Sequence, residues 1–147
     1  MKSEFDQYRE SQKPHPCVVA AGVNAVPFQH EELGTWRQNL TGIKRLHEET
    51  NLLVYGAVDD IWVQDNGELI VVDYKATSLQ NQITTSFAYR DSYKRQLEIY
   101  QWLLRGNNFH VSDTAYLVYV NARKDRNAFD CRLDFDLTLI PYRANAA

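Results

Sequence analysis

Apolar residues recur along this chain at two periods, and the periods divide it into elements. Leu52 to Gln64 and Glu68 to Lys75 are dense in Val, Leu, Ile, Tyr and Trp, as expected of buried strands. Asp65-Asn66-Gly67 lies between them. Asn-Gly supplies the positive φ angles of a tight turn, so the two runs are predicted to form a hairpin. Ile43 to Glu48 reads as a shorter strand upstream, and Thr114 to Asn121 as another buried one. Phe129 to Leu139 alternates, with Phe129, Cys131, Leu133, Phe135 and Leu137 on one face and Asp130, Arg132, Asp134 and Asp136 on the other. Cys131 is therefore expected to be a small core residue.

The helical period is clearest over Ser92 to Arg105, where Leu97, Tyr100, Leu103 and Leu104 form one stripe before Gly106. A shorter helix is predicted over Glu31 to Leu40, closed by Gly42. Residues 1 to 16 are polar, contain Pro14 and Pro16, and read as a loose arm. Val18 to Phe28, broken by Gly22 and Pro27, reads as irregular, and Ser78 to Thr85 as a loop. The predicted order is α-β-β-β-α-β-β. That is an α/β (mixed α+β) fold, with a central mixed sheet flanked by helices, in a single domain over residues 1–147.

Composition narrows the class. With 147 residues, 44% hydrophobic and 24% charged, the chain can build one core and is not of disordered type. No apolar run has the ~18 residues of a membrane span, and MKSEFDQYRE has no signal-peptide core. Cys17 and Cys131 alone make neither a disulfide framework nor a four-cysteine metal site. The expectation is a reduced, intracellular, cytoplasmic protein with no membrane partner. The net charge of −3 at first argues against a nucleic-acid partner.

The candidate chemistry lies at the ends of the predicted hairpin. Asp73 and Lys75 flank Tyr74 on a strand and so share a face. Charges at the end of an apolar strand are costly unless paired or used. Counting outward from Asn66-Gly67, Asp59 falls nearly opposite Asp73, within one residue of register. Two carboxylates and the Tyr74 backbone carbonyl form a hard oxygen site suited to Mg²⁺ or Mn²⁺. Lys75 would orient a water or stabilise charge on phosphorus. An ordinary Asp–Lys ion pair is the competing reading. Gln96 and Tyr100, four apart, share a face of the strongest helix.

Gly56-Ala-Val-Asp59, Asp73-Tyr-Lys75 and Gln96-Leu-Glu-Ile-Tyr100, in that order, resemble the GxxD, (D/E)xK and QxxxY motifs of the PD-(D/E)XK nuclease superfamily. The likeness covers roughly residues 43 to 121 and is closest to the RecB-type branch, with its recombination-helicase nuclease domains and CRISPR-associated exonucleases. It implies a restriction-endonuclease-like core and a metal-dependent DNA nuclease, with exonuclease action or action on single strands and free ends. Asp59, Asp73 and the Tyr74 carbonyl would hold Mg²⁺ or Mn²⁺, Lys75 would handle the water, and Gln96 and Tyr100 would order the site. Gly56 would permit close backbone approach. Relatives often add an upstream His ligand, for which His30 and His47 are the candidates. Many also hold a 4Fe–4S cluster on four flanking cysteines. This chain has two cysteines, so no iron-sulfur cluster is expected within it, and a trimmed core of a longer, cluster-bearing nuclease is one reading. A catalytically inactive module binding nucleic acid or protein is another. DNA repair and CRISPR adaptation, each with its protein partners, are both compatible with the resemblance.

Other residues follow from that reading. Arg90, Lys94 and Arg95 before the Gln/Tyr pair, and Arg123, Lys124 and Arg126 after a strand, are candidate phosphate contacts. Tyr89, Tyr93 and Trp102 are candidates for base stacking, with Trp102 more readily core. Asp60 should face the opposite side of the sheet from Asp59 and be structural, and Glu98 should turn away from Gln96. The charge is also divided. Residues 43–75 hold three basic and seven acidic residues, and residues 86–126 hold seven basic and four acidic. A divalent ion would offset part of the acidic stretch, so net acidity does not exclude a nucleic-acid substrate.

Overall fold

A computed structural model of the chain describes residues 1–80, 83, 90–128 and 130–145. The predicted hairpin is its centre. Strand β4 (Asp60–Gln64) turns at Gly67, whose φ is +83°, and returns as β5 (Leu69–Thr77). The antiparallel register runs from Asp60 opposite Val72 to Val63 opposite Leu69. Helix α4 (Asp91–Gly106) then leads to β6 (Thr114–Ala122), which pairs parallel to β5, and β7 (Phe135–Arg143) closes that edge antiparallel. With β1 (Ala25–Pro27) on β4, the five-stranded sheet has the order β1-β4-β5-β6-β7. A central mixed sheet flanked by helices is a restriction-endonuclease-like architecture.

The sheet separates two cores. On one face Leu69 and Val71 of β5 meet Leu97, Leu103 and Leu104 of α4. On the other, Ile70, Val72 and Tyr74 meet Phe5 and Val18. These last two come from α1 (Lys2–Ser11) and α2 (Pro16–Ala20). The strict alternation of β5 between the cores explains its continuous apolar run.

Several predicted elements are corrected. Residues 1–16 are not a loose arm: α1 forms and buries Phe5 and Arg9. The segment after it is less irregular than expected, since it contains α2 and β1. The helix expected over Glu31 to Leu40 is a single turn, α3 (Leu33–Trp36), and Leu40 is exposed. The run Leu52 to Gln64 is two strands. Its first part, β3 (Leu52–Gly56), pairs with β2 (Ile43–His47) in a separate hairpin; after residues 57–59, β4 joins the main sheet. β7 starts later than the alternation suggests, because its ladder begins where Phe135 meets Ala122, the last residue of β6. Cys131 consequently lies in a connection, exposed and with φ +54°, rather than in the core. Among the described residues no helix is long and apolar enough to cross a membrane.

Candidate active site

Asp73 and Lys75 continue the α4-facing series of β5, while the Tyr74 side chain points to the α1 side. Asp73 is almost wholly buried at 1% exposure, and its Oδ2 lies 2.5 Å from Lys75 Nζ without hydrogen-bond alignment. Asp59 sits on the bend just before β4. The last ladder pair joins Asp60 to Val72, so one further step brings Asp59 opposite Asp73. Asp59 Oδ2 accepts the Tyr74 backbone N–H at 3.0 Å. The N–H and C=O of a strand residue point to the same edge. The Tyr74 carbonyl therefore opens beside Asp59, beyond the end of the β4 ladder. Burial raises the Asp73 carboxyl to about 6 against the pull of Lys75, and Asp59 adds to the rise.

Helix α4 supplies the other side. Gln96 Oε1 accepts from Lys75 Nζ at 3.1 Å, and Gln96 Nε2 donates to the Tyr100 hydroxyl at 2.9 Å. One side chain thus bridges strand and helix, as the four-residue spacing allows. Lys75 Nζ also lies 4.5 Å from the centre of the Tyr93 ring, so Tyr93 faces the ammonium. Burial raises the Tyr100 phenol, countered by Gln96 and reinforced by the negative charge of Asp73 and Asp59. The helix comes this close because residue 56 is glycine. A Cβ there would stand 2.9 Å from Tyr100 Cε1 and 3.3 Å from Leu103 Cδ1.

A second network backs the site from the α1 side. Asp60, fully buried, accepts from Arg9 Nη2 and from the Tyr74 hydroxyl, each at 2.5 Å, and from the backbone N–H of Ile61. Burial and the Asp60 charge push the Tyr74 phenol far up, so it remains a donor. Arg37 Nε donates to the Asp59 carbonyl, and its Nη1 pairs with Asp6 of α1. Lys2 Nζ reaches Asp59 Oδ1 at 2.6 Å. Asp60 is structural and faces away from Asp59, as its position predicts. Lys2, Arg9 and Arg37 carry no motif and sit 57, 51 and 22 residues from the aspartates they touch, so the sequence offers no local signal for them.

Other candidates lie elsewhere. His30 stacks on Trp36 at 4.5 Å and on Phe28, and its Nδ1 accepts the Glu32 N–H. His47 bonds Thr50 at 2.8 Å beside Trp102. Neither joins the carboxylates, and among the described residues no three His, Cys, Asp or Glu side chains gather as a metal group. Trp102 is half-buried against the core, with the Arg45 guanidinium 4.1 Å over its ring. Glu98 turns away and accepts from Tyr142. Arg90 is the N-cap residue of α4 and makes no side-chain capping bond to it. Lys94 pairs with Asp91 at 3.5 Å, and Arg95 is exposed. A groove of about 630 Å³ at the C-terminal ends of β5 and β6 is lined by Asn121, Arg123, Lys124, Asp125 and Asp136, among others. Arg123 there is held by Asp125, and Arg126 of the connection to β7 by Asp134, so a phosphate contact by either must compete with a carboxylate. Tyr89 and Phe129 lie outside the described residues.

The carboxylate pair fits a hard divalent cation. Among the described residues the buried Asp73 Oδ2 has only its ion contact with Lys75 and no aligned hydrogen bond, and the neighbouring Asp59 adds negative charge beside it. Such a pair gains from a cation that satisfies both, and oxygen-only donors suit Mg²⁺ or Mn²⁺.

The sequence model of the PD-(D/E)XK nuclease superfamily matches residues 3–137. Comparison with curated proteins and with solved structures gives no significant match.

Proposed function

Since the chain belongs to the PD-(D/E)XK nuclease superfamily, whose members are in general metal-dependent nucleases, we propose that it hydrolyses phosphodiester bonds of DNA at the Asp59–Asp73–Lys75 site. Asp59, Asp73 and the Tyr74 carbonyl are the groups that would hold Mg²⁺ or Mn²⁺. A divalent ion there supplies Lewis-acid polarisation of a phosphate oxygen and lowers the pKa of a bound water. Lys75 would orient the attacking water and face the charge that develops on phosphorus. Gln96 fixes the ammonium through its Oε1, and the Tyr100 hydroxyl fixes Gln96. Asp59 and Tyr74 are held in turn, the first by Arg37 on its backbone carbonyl and the second by the Asp60 carboxylate on its phenol.

The observation that carries this reading is the placement of Lys75. Its ammonium lies 2.5 Å from a buried carboxylate of the pair and 3.1 Å from Gln96. A plain Asp–Lys ion pair needs neither the second carboxylate nor the amide. The order of the three motifs further supports a RecB-type enzyme acting on single strands or free ends. Arg95, exposed on α4, is the candidate basic group offered to the phosphate backbone.

The test is cleavage of single- and double-stranded DNA, end-labelled when linear and internally labelled when circular, with Mn²⁺ or Mg²⁺. Linear substrates are expected to be degraded and circles spared. Lys75→Ala is expected to lose about 10²-fold or more in rate. A Lys75→Ala protein that cleaves like the parent overturns the assignment, and cleaved circles overturn the end-acting part of it.

A further inference from the structure

Asp59 is the carboxylate that α1 touches, and the contact bears on how a cation reaches the site. Its two oxygens have different partners: Oδ2 accepts the Tyr74 N–H at 3.0 Å, and Oδ1 meets Lys2 Nζ at 2.6 Å. Each carboxylate of the pair is thus matched by an ammonium from a different element. Lys75 serves Asp73 from the same strand and is tied down by Gln96. Lys2 serves Asp59 from the first turn of α1, with its side chain 47% exposed.

We propose that Lys2 is a built-in counter-cation of Asp59 that a divalent ion must displace, so that metal loading frees the Lys2 ammonium. The proposal rests on the reading of Asp59 and Asp73 as the metal carboxylates. A Mg²⁺ ion sits ~2.1 Å from a ligating oxygen. Asp59 Oδ2 already accepts the Tyr74 N–H, so an ion drawn to Asp59 competes with the Lys2 ammonium for the charge on Oδ1, and the two cations repel. One has to leave, and the monovalent one is on a flexible, half-exposed stem. The rest of the helix stays docked, because Phe5 is buried against Trp62 and Tyr74 and Arg9 is bound to Asp60. Lys2 thereby sets how much free metal the site needs. A partly exposed pair is weak, so the effect is a tuning: its loss is expected to tighten metal binding about two- to fivefold at low salt, and less as salt screens the pair.

Two measurements on the full chain test this. The first is Mn²⁺ titration calorimetry at low ionic strength for the parent, Lys2→Met, Lys2→Arg and Asp73→Asn. The second is amine acylation read by mass spectrometry, with and without saturating Mn²⁺, using the exposed Lys13 as internal reference. Lys2→Met is expected to bind Mn²⁺ about two- to fivefold tighter and Lys2→Arg like the parent, and Mn²⁺ is expected to at least double the relative labelling of Lys2. Unchanged affinity in Lys2→Met, or unchanged labelling of Lys2, overturns the counter-cation while Asp73→Asn still abolishes binding. Parent-like binding by Asp73→Asn, or no Mn²⁺ binding by the parent, overturns instead the metal site on which the proposal stands.

Discussion

Asp73 is an acid in an apolar strand, 1% exposed, with a second carboxylate alongside. Among the described residues Lys75 is the cation that relieves it, and desolvation wins, leaving the carboxyl at about 6 rather than its ordinary 3.8. Because the folded value lies above the unfolded one, the folded state binds this proton more tightly. The associated stability is present below about pH 4 and is lost as pH rises through 6, a swing of about 2–3 kcal/mol. In EDTA, the unfolding free energy of Asp73→Asn relative to the parent is therefore expected to improve from about pH 4.5 to about pH 7.5. Urea titrations at the two pH values check this, and a difference independent of pH would show that burial does not penalise the carboxylate. Saturating Mn²⁺ should remove the parent's loss, since the ion satisfies the charged form. The facing of Asp59 and Asp73 was legible from the chain because a tight hairpin turns sequence distance into register. Lys2 on Asp59 was not legible, because nothing local connects residues so far apart.

Among the elements, the approach of α4 to β3 decides whether Gln96 and Tyr100 reach the strand. Gly56 sets that approach: an added methyl would press on Tyr100 Cε1 at 2.9 Å and Leu103 Cδ1 at 3.3 Å, and neither ring nor buried leucine can swing away freely. Gly56→Ala is expected to cost about 1–3 kcal/mol in stability. It should also lower cleavage roughly tenfold or more at temperatures where the protein stays folded, by moving the Tyr100–Gln96–Lys75 chain. Chemical denaturation and rate measurements separate the two effects. A stable variant with full activity would show that the glycine is incidental. The elements read correctly from sequence were those with a local signature: the Asn-Gly hairpin, the apolar β5 and the striped α4. The break between β3 and β4 falls at Gly56 to Asp60, across a motif that reads as part of the site rather than as a change of pairing partner from β2 to β1 and β5. β7 shows the converse. Its alternation runs upstream of the ladder, but pairing requires a facing strand, and β6 has ended.

For the whole molecule, the question is what ties α1 to the sheet and its carboxylate pair. Periodicity missed this helix because its contact face holds one large apolar residue, Phe5, and an arginine, and an arginine counts as polar in any hydrophobic pattern. The arginine is the anchor. Arg9 is 7% exposed, its Nη2 on the fully buried Asp60 and its Nη1 on the Phe28 carbonyl at 2.6 Å. Removing one partner of such a pair leaves an uncompensated charge under the sheet, which costs about 3–5 kcal/mol, whereas removing both charges together costs much less. Arg9→Met is therefore expected to destabilise the protein by that amount, and adding Asp60→Asn should return a large part of it. The double-mutant cycle by urea unfolding measures the coupling directly. The same Asp60 carboxylate holds the Tyr74 phenol, and Tyr74 presents its N–H to Asp59. Arg9→Met should consequently also weaken Mn²⁺ binding in protein that is still folded. The double variant should recover stability more fully than metal affinity, because a neutral amide at position 60 accepts from the phenol less strongly than a carboxylate does. Stability and metal affinity recovering in step would mean that α1 acts on the fold alone and that the carboxylate pair is positioned without it.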